Sequence, residues 1–156
     1  MSNLPSNFEE AIKNAKRLSN KILIDGKLIS PSTDNKIKVI NPSTGENIGE
    51  APQCDKNDVD HAVKSSLNAF KEWKKIPARE RGRLVELGAR NLEERKGEIE
   101  TLLSLDTGNA LRTQAKPETA ASIELTRMFA GLSGEIKGEN YPPNIANTLH
   151  FTTRDP

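Results

Sequence analysis

The chain has 156 residues, of which 34% are hydrophobic and 4% aromatic, and its 23 Lys and Arg against 22 Asp and Glu leave a net charge of +1. Counting the ten glycines as apolar raises the hydrophobic share to about 40%, below the roughly 45–50% of ordinary globular domains, so we expect a thin core. This balanced charge does not fit a nucleic-acid or membrane-surface protein, which needs a face of one sign, and we expect neither partner.

The N-terminus, MSNLPSNFEE, has no basic segment followed by an apolar one, as a secretory signal would. No run of about 18 apolar residues occurs, so no transmembrane helix is predicted. The single cysteine, Cys54, cannot form an internal disulfide, which agrees with a reducing compartment. We therefore expect a cytoplasmic protein.

Residues 1–20 predict an N-terminal helical arm, in which Ser6 and Glu9 form a capping-box pair ahead of one apolar helical stripe ending at Leu18. Residues 21–54 predict a β-hairpin or a meander, because β-rich runs alternate with turn residues. The turns are expected at Asp25-Gly26 and at the NPSTG segment, residues 41–45.

Residues 55–138 predict a helical region. Asp55, with Asp58 three residues on, suits the cap of a first helix, and Pro77 suits the first turn of a second. Gly97 is expected to divide that second run, which ends at DTG, residues 106–108, and Pro117 opens a further helix. The apolar stripe predicted for the first helix consists of Val59, Ala62, Val63, Leu67, Phe70 and Trp73.

Residues 139–156 predict a loop followed by a strand. In NTLHFTTRDP, residues 147–156, apolar and polar side chains alternate as in a half-buried strand, and no turn signal returns the chain to a partner. We therefore expect a lone strand that pairs outside the chain. No further strands separate the helices, so a parallel sheet is not predicted within these residues.

The residues alone predict no catalytic site. Cys54 has carboxylates as neighbours, which would raise its pKa, so we expect a loop or helix-boundary residue. His61 and His150 are too few and too far apart for a local metal motif, and GLSGEIKG, residues 131–138, matches no phosphate-binding order.

Four motifs in order and at similar spacing nevertheless resemble the N-terminal third of the NAD(P)-dependent aldehyde dehydrogenases, over residues 21–156. The motifs are VINPSTGENIGEAP, DVDHAVKSSLNAFKEWKKIPARERGRLV, LSLDTGNAL and RMFAGLSGEIKGENYPPNIANTLHFTTRDP. The resemblance implies a parent enzyme that oxidises an aldehyde to a carboxylic acid through a cysteine thiohemiacetal and hydride transfer to NAD or NADP. It also implies that the nucleophilic cysteine, the general-base glutamate, the oxyanion asparagine and the cofactor site follow this segment. The 156 residues alone are then expected to be inactive and to bind no cofactor.

The same resemblance implies supporting roles for particular residues. The backbone of Ile40 and the carboxylate of Asp106 correspond to a monovalent-cation site, and Ala121 and Leu125 border the substrate entrance. The 147–156 strand corresponds to an oligomerisation strand that makes a homodimer or homotetramer. From the residues alone, Asp106 is a turn or helix-terminus acceptor, and Ala121 and Leu125 are ordinary core residues; these alternatives stay open.

The expected fold class is α/β, aldehyde dehydrogenase-like and incomplete. It comprises an antiparallel β-hairpin, several α-helices and a C-terminal oligomerisation strand, and it lacks most of the Rossmann core. Two alternatives remain. The chain could be a naturally short, non-catalytic interaction protein that pairs with full-length subunits, or an unrelated helical binding module.

Overall fold

The structure is a computed structural model, in which residues 6–154 are described. Within them the chain forms five α-helices and six short strands. The helices are α1 (Ser6–Leu18), α2 (Lys56–Trp73), α3 (Ala78–Glu94), α4 (Lys96–Thr107) and α5 (Lys116–Gly131). The strands are β1 (Ile22–Ile24), β2 (Lys27–Ile29), β3 (Lys36–Ile40), β4 (Asn47–Pro52), β5 (Asn140–Tyr141) and β6 (His150–Phe151). A π-helical turn (Leu111–Ala115) precedes α5, and a 3-10 turn (Leu132–Gly134) follows it.

The strands form three separate antiparallel hairpins, β1-β2, β3-β4 and β5-β6. Both predicted turns are confirmed. Asp25 and Gly26 have φ values of 54° and 69°, as a two-residue hairpin turn requires. In the second turn Gly45 has φ 73°, and the buried Asn41 side chain accepts a hydrogen bond from the Ser43 amide at 2.9 Å. The predicted single hairpin or meander is thus two independent hairpins.

A small hydrophobic core joins α1, β4 and α4. Its buried members are Ala11, Ile48 and Leu105, exposed by only 2%, 7% and 2%. Partly buried side chains surround them, namely Phe8, Ile12, Val39 and Leu102. The core is as thin as the composition predicts, and it fixes the N-terminal arm to the body of the chain. The capping role predicted for Ser6 and the packing of Leu18 depend on side chains outside the described part.

The α3 and α5 helices form the most extensive helix pair among the described residues. They approach closely at Gly82, where a Cβ would lie 2.5 Å from the Ala130 carbonyl oxygen and would also overlap the Ser133 side chain. Arg127 of α5 crosses the pair to form ion pairs with Glu86 and Glu93 of α3. Hydrogen bonding from Arg127 holds the pKa of the Glu93 carboxyl below its ordinary value.

The α2 helix begins where predicted but packs differently from the prediction. Asp55 accepts hydrogen bonds from the Asn57 and Asp58 amides, and the Asp58 carboxylate accepts one from the Asp55 amide, which completes a capping box. The predicted apolar stripe is largely solvent-exposed: Val59, Val63, Leu67, Phe70 and Trp73 are exposed by 39–57%. Of the described elements, β1 makes the most contact with α2, and this contact is slight. The stripe is helical, but within residues 6–154 little covers it.

The prediction of a lone C-terminal strand is wrong. The strand is short, and β6 pairs antiparallel with β5, with Tyr141 opposite His150. The Thr152 amide donates to the Glu139 carbonyl oxygen at 2.9 Å, and the Glu139 amide donates to Thr152 Oγ1. The reversal comes from residues 144–147, where Asn147 adopts φ 63°. Asparagine tolerates this left-handed conformation, so the chain reverses here without a glycine. Residues 155 and 156 of the predicted strand lie outside the described range.

The architecture is therefore α/β and incomplete, as predicted, with helices beside small antiparallel sheets and no parallel sheet within residues 6–154. In that same range no helix has the length and apolar character needed to cross a bilayer.

Candidate functional site

The C-terminus of α4 lies against the NPSTG turn. Gly108 ends the helix in the left-handed conformation, φ 74°, and its amide donates to the Ser104 carbonyl oxygen at 3.0 Å. A Cβ at position 108 would lie 2.8 Å from Pro42 Cγ. Asp106, two residues before Gly108, is thus brought close to the turn that follows Ile40. The two segments expected to share a cation are neighbours in the fold.

An apolar groove of about 540 Å³ runs beside this junction, between β4 and α4. The lining includes the apolar side chains of Val39, Ile48 and Leu102. Asp106, near the C-terminus of α4, also lines the groove. The Asp106 side chain is exposed, and residues 6–154 contain no cluster of three acidic, histidine or cysteine side chains that could hold a metal ion. One carboxylate with backbone carbonyl oxygens suits a weakly bound hard cation that keeps other ligands, not a fully chelated one.

The Gly108→Ala substitution tests the contact between the C-terminus of α4 and the NPSTG turn. We expect a loss of about 2 kcal/mol of unfolding free energy, because alanine is strained at positive φ and its Cβ would press on Pro42. Denaturant titration of the two proteins measures the loss. Gly45→Ala is the matched control, since Gly45 has a similar φ of 73° but open space around its Cβ. Equal losses in the two variants would contradict close packing of α4 on the turn.

Ala121 and Leu125 lie one helical turn apart on α5, and both are exposed, Leu125 by 52%. The interpretation of these two as ordinary core residues is therefore wrong for this chain. Met128 and Phe129 extend the same exposed surface, at 50% and 63%. The structure places the two predicted entrance residues on an apolar ridge that nothing within residues 6–154 covers.

The single cysteine and the two histidines lie on three separate segments of the chain. Cys54 is exposed in the segment just before α2, as predicted. His61 on α2 and His150 on β6 are exposed as well. No catalytic arrangement forms among the described residues around any of the three.

Sequence reasoning did not find the polar cluster at the base of α2. The Asp58 carboxylate is 8% exposed and accepts from both the Ser32 amide and the Ser32 hydroxyl at 2.9 Å. The Ser32 hydroxyl, with the amides of Asp58 and Asn57, also lowers the pKa of the Asp55 carboxyl below its ordinary value. The sequence predicts the helix cap, but it does not predict the hydrogen bond from Ser32 to Asp58, which lies 26 positions later.

Comparison with known proteins identifies the family, which the geometry alone does not. A model of the aldehyde dehydrogenase family matches residues 29–156, most of the chain. The chain belongs to the aldehyde dehydrogenase family. Among relatives, aldehyde dehydrogenase tropH of Talaromyces stipitatus is 34% identical over 147 residues, and an aldehyde dehydrogenase of Enchytraeus buchholzi is 31% identical over 150 residues. These matches cover 93% and 94% of this aldehyde dehydrogenase-family chain but only 28% and 30% of the relatives.

Solved structures agree with the family assignment. Betaine aldehyde dehydrogenase from Staphylococcus aureus, in complex with NAD+, superposes with a TM-score of 0.85 at 26% identity, over 93% of this chain and 29% of that one. PnpE in complex with nicotinamide adenine dinucleotide gives 0.80 at 31% identity, over 85% and 27%. The two relatives match 93% and 94% of the chain, which is more than residues 21–156. The similarity therefore also includes part of α1, outside the region that contains the four motifs. The chain spans less than a third of the length of these relatives.

Proposed function

We propose that the chain serves as the N-terminal part of an NAD(P)-dependent aldehyde dehydrogenase and has no dehydrogenase activity by itself. The observation that carries the proposal is the match of nearly the whole chain to under a third of NAD+-bound betaine aldehyde dehydrogenase. The described residues form no catalytic constellation, and in this proposal the nucleophile, the base and the oxyanion donor belong to the rest of the enzyme. NAD or NADP supplies the hydride acceptor there, and no residue of this chain is assigned to it.

In this proposal the segment has supporting roles. The Ile40 carbonyl and the Asp106 carboxylate would offer oxygen ligands to a monovalent cation, a role supported by the contact between the α4 end and the NPSTG turn. Ala121 and Leu125 would border the aldehyde entrance, which their exposure on α5 permits. The β5-β6 hairpin, rather than a lone 147–156 strand, would form part of the interface of a homo-oligomer.

The exposed apolar faces support the proposal that the chain is one part of a larger enzyme. Twenty large hydrophobic side chains are exposed by 39% or more among the described residues. They include the α2 stripe, the α5 ridge and the tip of the β5-β6 hairpin, and such patches mark surfaces that a partner covers. In the proposal the remaining portion of the subunit and a second subunit cover them.

The test is a domain exchange. This chain would replace the matching 29% of the Staphylococcus aureus betaine aldehyde dehydrogenase, and NADH formation would be followed by absorbance with betaine aldehyde. We expect aldehyde-dependent NADH from the chimera and none from the isolated chain. A second chimera, carrying the equivalent segment of the Talaromyces relative, controls for the junction. An active control beside a folded but inactive chimera, or aldehyde-dependent NADH from the isolated chain, would contradict the proposal.

A further inference from the structure

A polar cleft lies between α1 and α4. The helices meet at the buried Ala11, and Gly97 contributes no side chain, so their surfaces diverge and leave a cleft of about 420 Å³. Glu10 and Asn14 line it from α1, and Glu100 lines it from α4. The volume is at the small end of the about 300–1,000 Å³ usual for ligand sites, which suits a small molecule.

Glu100 is the unusual residue in this cleft. It is 7% exposed, and within residues 6–154 its carboxylate makes no ion pair or side-chain hydrogen bond. The adjacent Glu98 is engaged by Arg95 at 2.8 Å instead. Its carboxylate oxygens remain open to the cleft, because Asn20 Oδ1 is the only buried side-chain oxygen without a hydrogen-bond partner among the described residues. Glu100 therefore provides a nine-tenths buried acceptor that a cationic group can satisfy.

Lys116, at the start of α5, lines the same cleft and likewise forms no ion pair with a described residue. Opposite charges thus line one cavity without meeting. A simple anion would be repelled by the three carboxylates that line the cleft, those of Glu10, Glu98 and Glu100, whereas a simple cation would leave Lys116 without an anionic partner. A molecule with an ammonium group at one end and a carboxylate at the other satisfies both ends.

We propose that the cleft between α1 and α4 binds a small zwitterion of the amino acid class. Its ammonium group donates hydrogen bonds to the Glu100 carboxylate and to the Asn14 side-chain oxygen, since an ammonium has three donors. Its carboxylate faces the Lys116 ammonium. The site is independent of the proposed dehydrogenase role, because none of its residues is assigned to the cation, the entrance or the oligomer.

The test is a titration of the chain, followed by amide chemical shifts, with a series of ω-amino acids: glycine, β-alanine, 4-aminobutyrate and 5-aminopentanoate. Butylamine and butyrate serve as probes that carry one charge each. We expect one chain length in the series to bind at least about tenfold more tightly than either single-charge probe, with shifts centred on Gly97 to Thr101. Equal binding of butylamine would show a cation site only and would overturn the proposal.

Variants locate the site. Glu100→Gln should weaken the best zwitterion by at least about tenfold, and Lys116→Gln should weaken it by about threefold to tenfold, since Lys116 is exposed. Glu94→Gln, an exposed change outside the cleft, is the matched control and should change affinity by less than about twofold. Thermal unfolding confirms that each variant is folded. Unchanged binding by folded Glu100→Gln and Lys116→Gln variants, or no shift with any zwitterion, would overturn the proposal.

Discussion

Gly82→Ala is expected to destabilise the chain by about 3 kcal/mol, whereas Gly88→Ala in the same helix is expected to stabilise it by about 0.5–1 kcal/mol. At position 82 the new methyl group would collide with the Ala130 carbonyl oxygen and the Ser133 side chain, both of which belong to the segment packed on α3. At position 88 it would meet nothing within 4 Å, so only the helix propensity changes.

Urea unfolding of the three proteins gives both values. The pair shares one helix and one kind of substitution, so the opposite signs isolate the close approach of α3 and α5. A Gly82→Ala protein as stable as Gly88→Ala would show that the two helices do not pack at this distance. Gly82→Ser should be at least as damaging, because its side chain is larger.

Asp58→Ala is expected to release α2 from the rest of the chain. The substitution removes the acceptor for the Ser32 amide, the Ser32 hydroxyl and the Asp55 amide. We expect about 2 kcal/mol less protection against local opening, or about 30-fold faster exchange of the α2 amides. The effect should be local, because α2 makes few other contacts among the described elements.

Hydrogen exchange measured by mass spectrometry resolves this effect. Asp60→Ala, an exposed change on the same helix, should leave α2 exchange within about 0.5 kcal/mol of the unsubstituted chain. Asp58→Asn should be intermediate, since its amide oxygen can still accept but carries no charge. Uniform acceleration throughout the molecule would instead indicate that Asp58 supports the global fold.

The local features of this fold could be predicted from sequence because short-range chemistry determines them. The Asp55 cap needs only residues within one helical turn, and Gly108 ends α4 because glycine adopts positive φ without strain. Gly97 predicts the break between α3 and α4 close to its place in the structure, which is Arg95.

Features that depend on distant residues could not be predicted. The apolar spacing of the α2 stripe predicts an amphipathic helix. It does not predict which element, if any, packs against the apolar face. The pairing of β6 with β5 depends on the turn around Asn147, which a strand pattern does not reveal. The ion pairs of Arg127 join residues 34 and 41 positions apart, and only the fold brings them together.

The candidate site also combines features that the sequence predicts with features that only the structure shows. The motifs that resemble the family predicted Ile40, Asp106, Ala121 and Leu125, and the structure shows the first two on adjoining segments and the last two on one exposed ridge. Their roles remain predictions. The polar cleft between α1 and α4 was invisible in the sequence, because Glu100 looks like any charged residue of a helix until its burial is known.

The most direct test of the central claim, that chemistry belongs to residues outside this segment, is the nucleotide sequence that follows codon 156 of the gene. We predict that the reading frame continues and encodes a glycine-rich strand-turn-helix segment and later a cysteine nucleophile. A stop codon directly after Pro156 would contradict this prediction and would favour a short interaction protein whose exposed faces bind separate subunits.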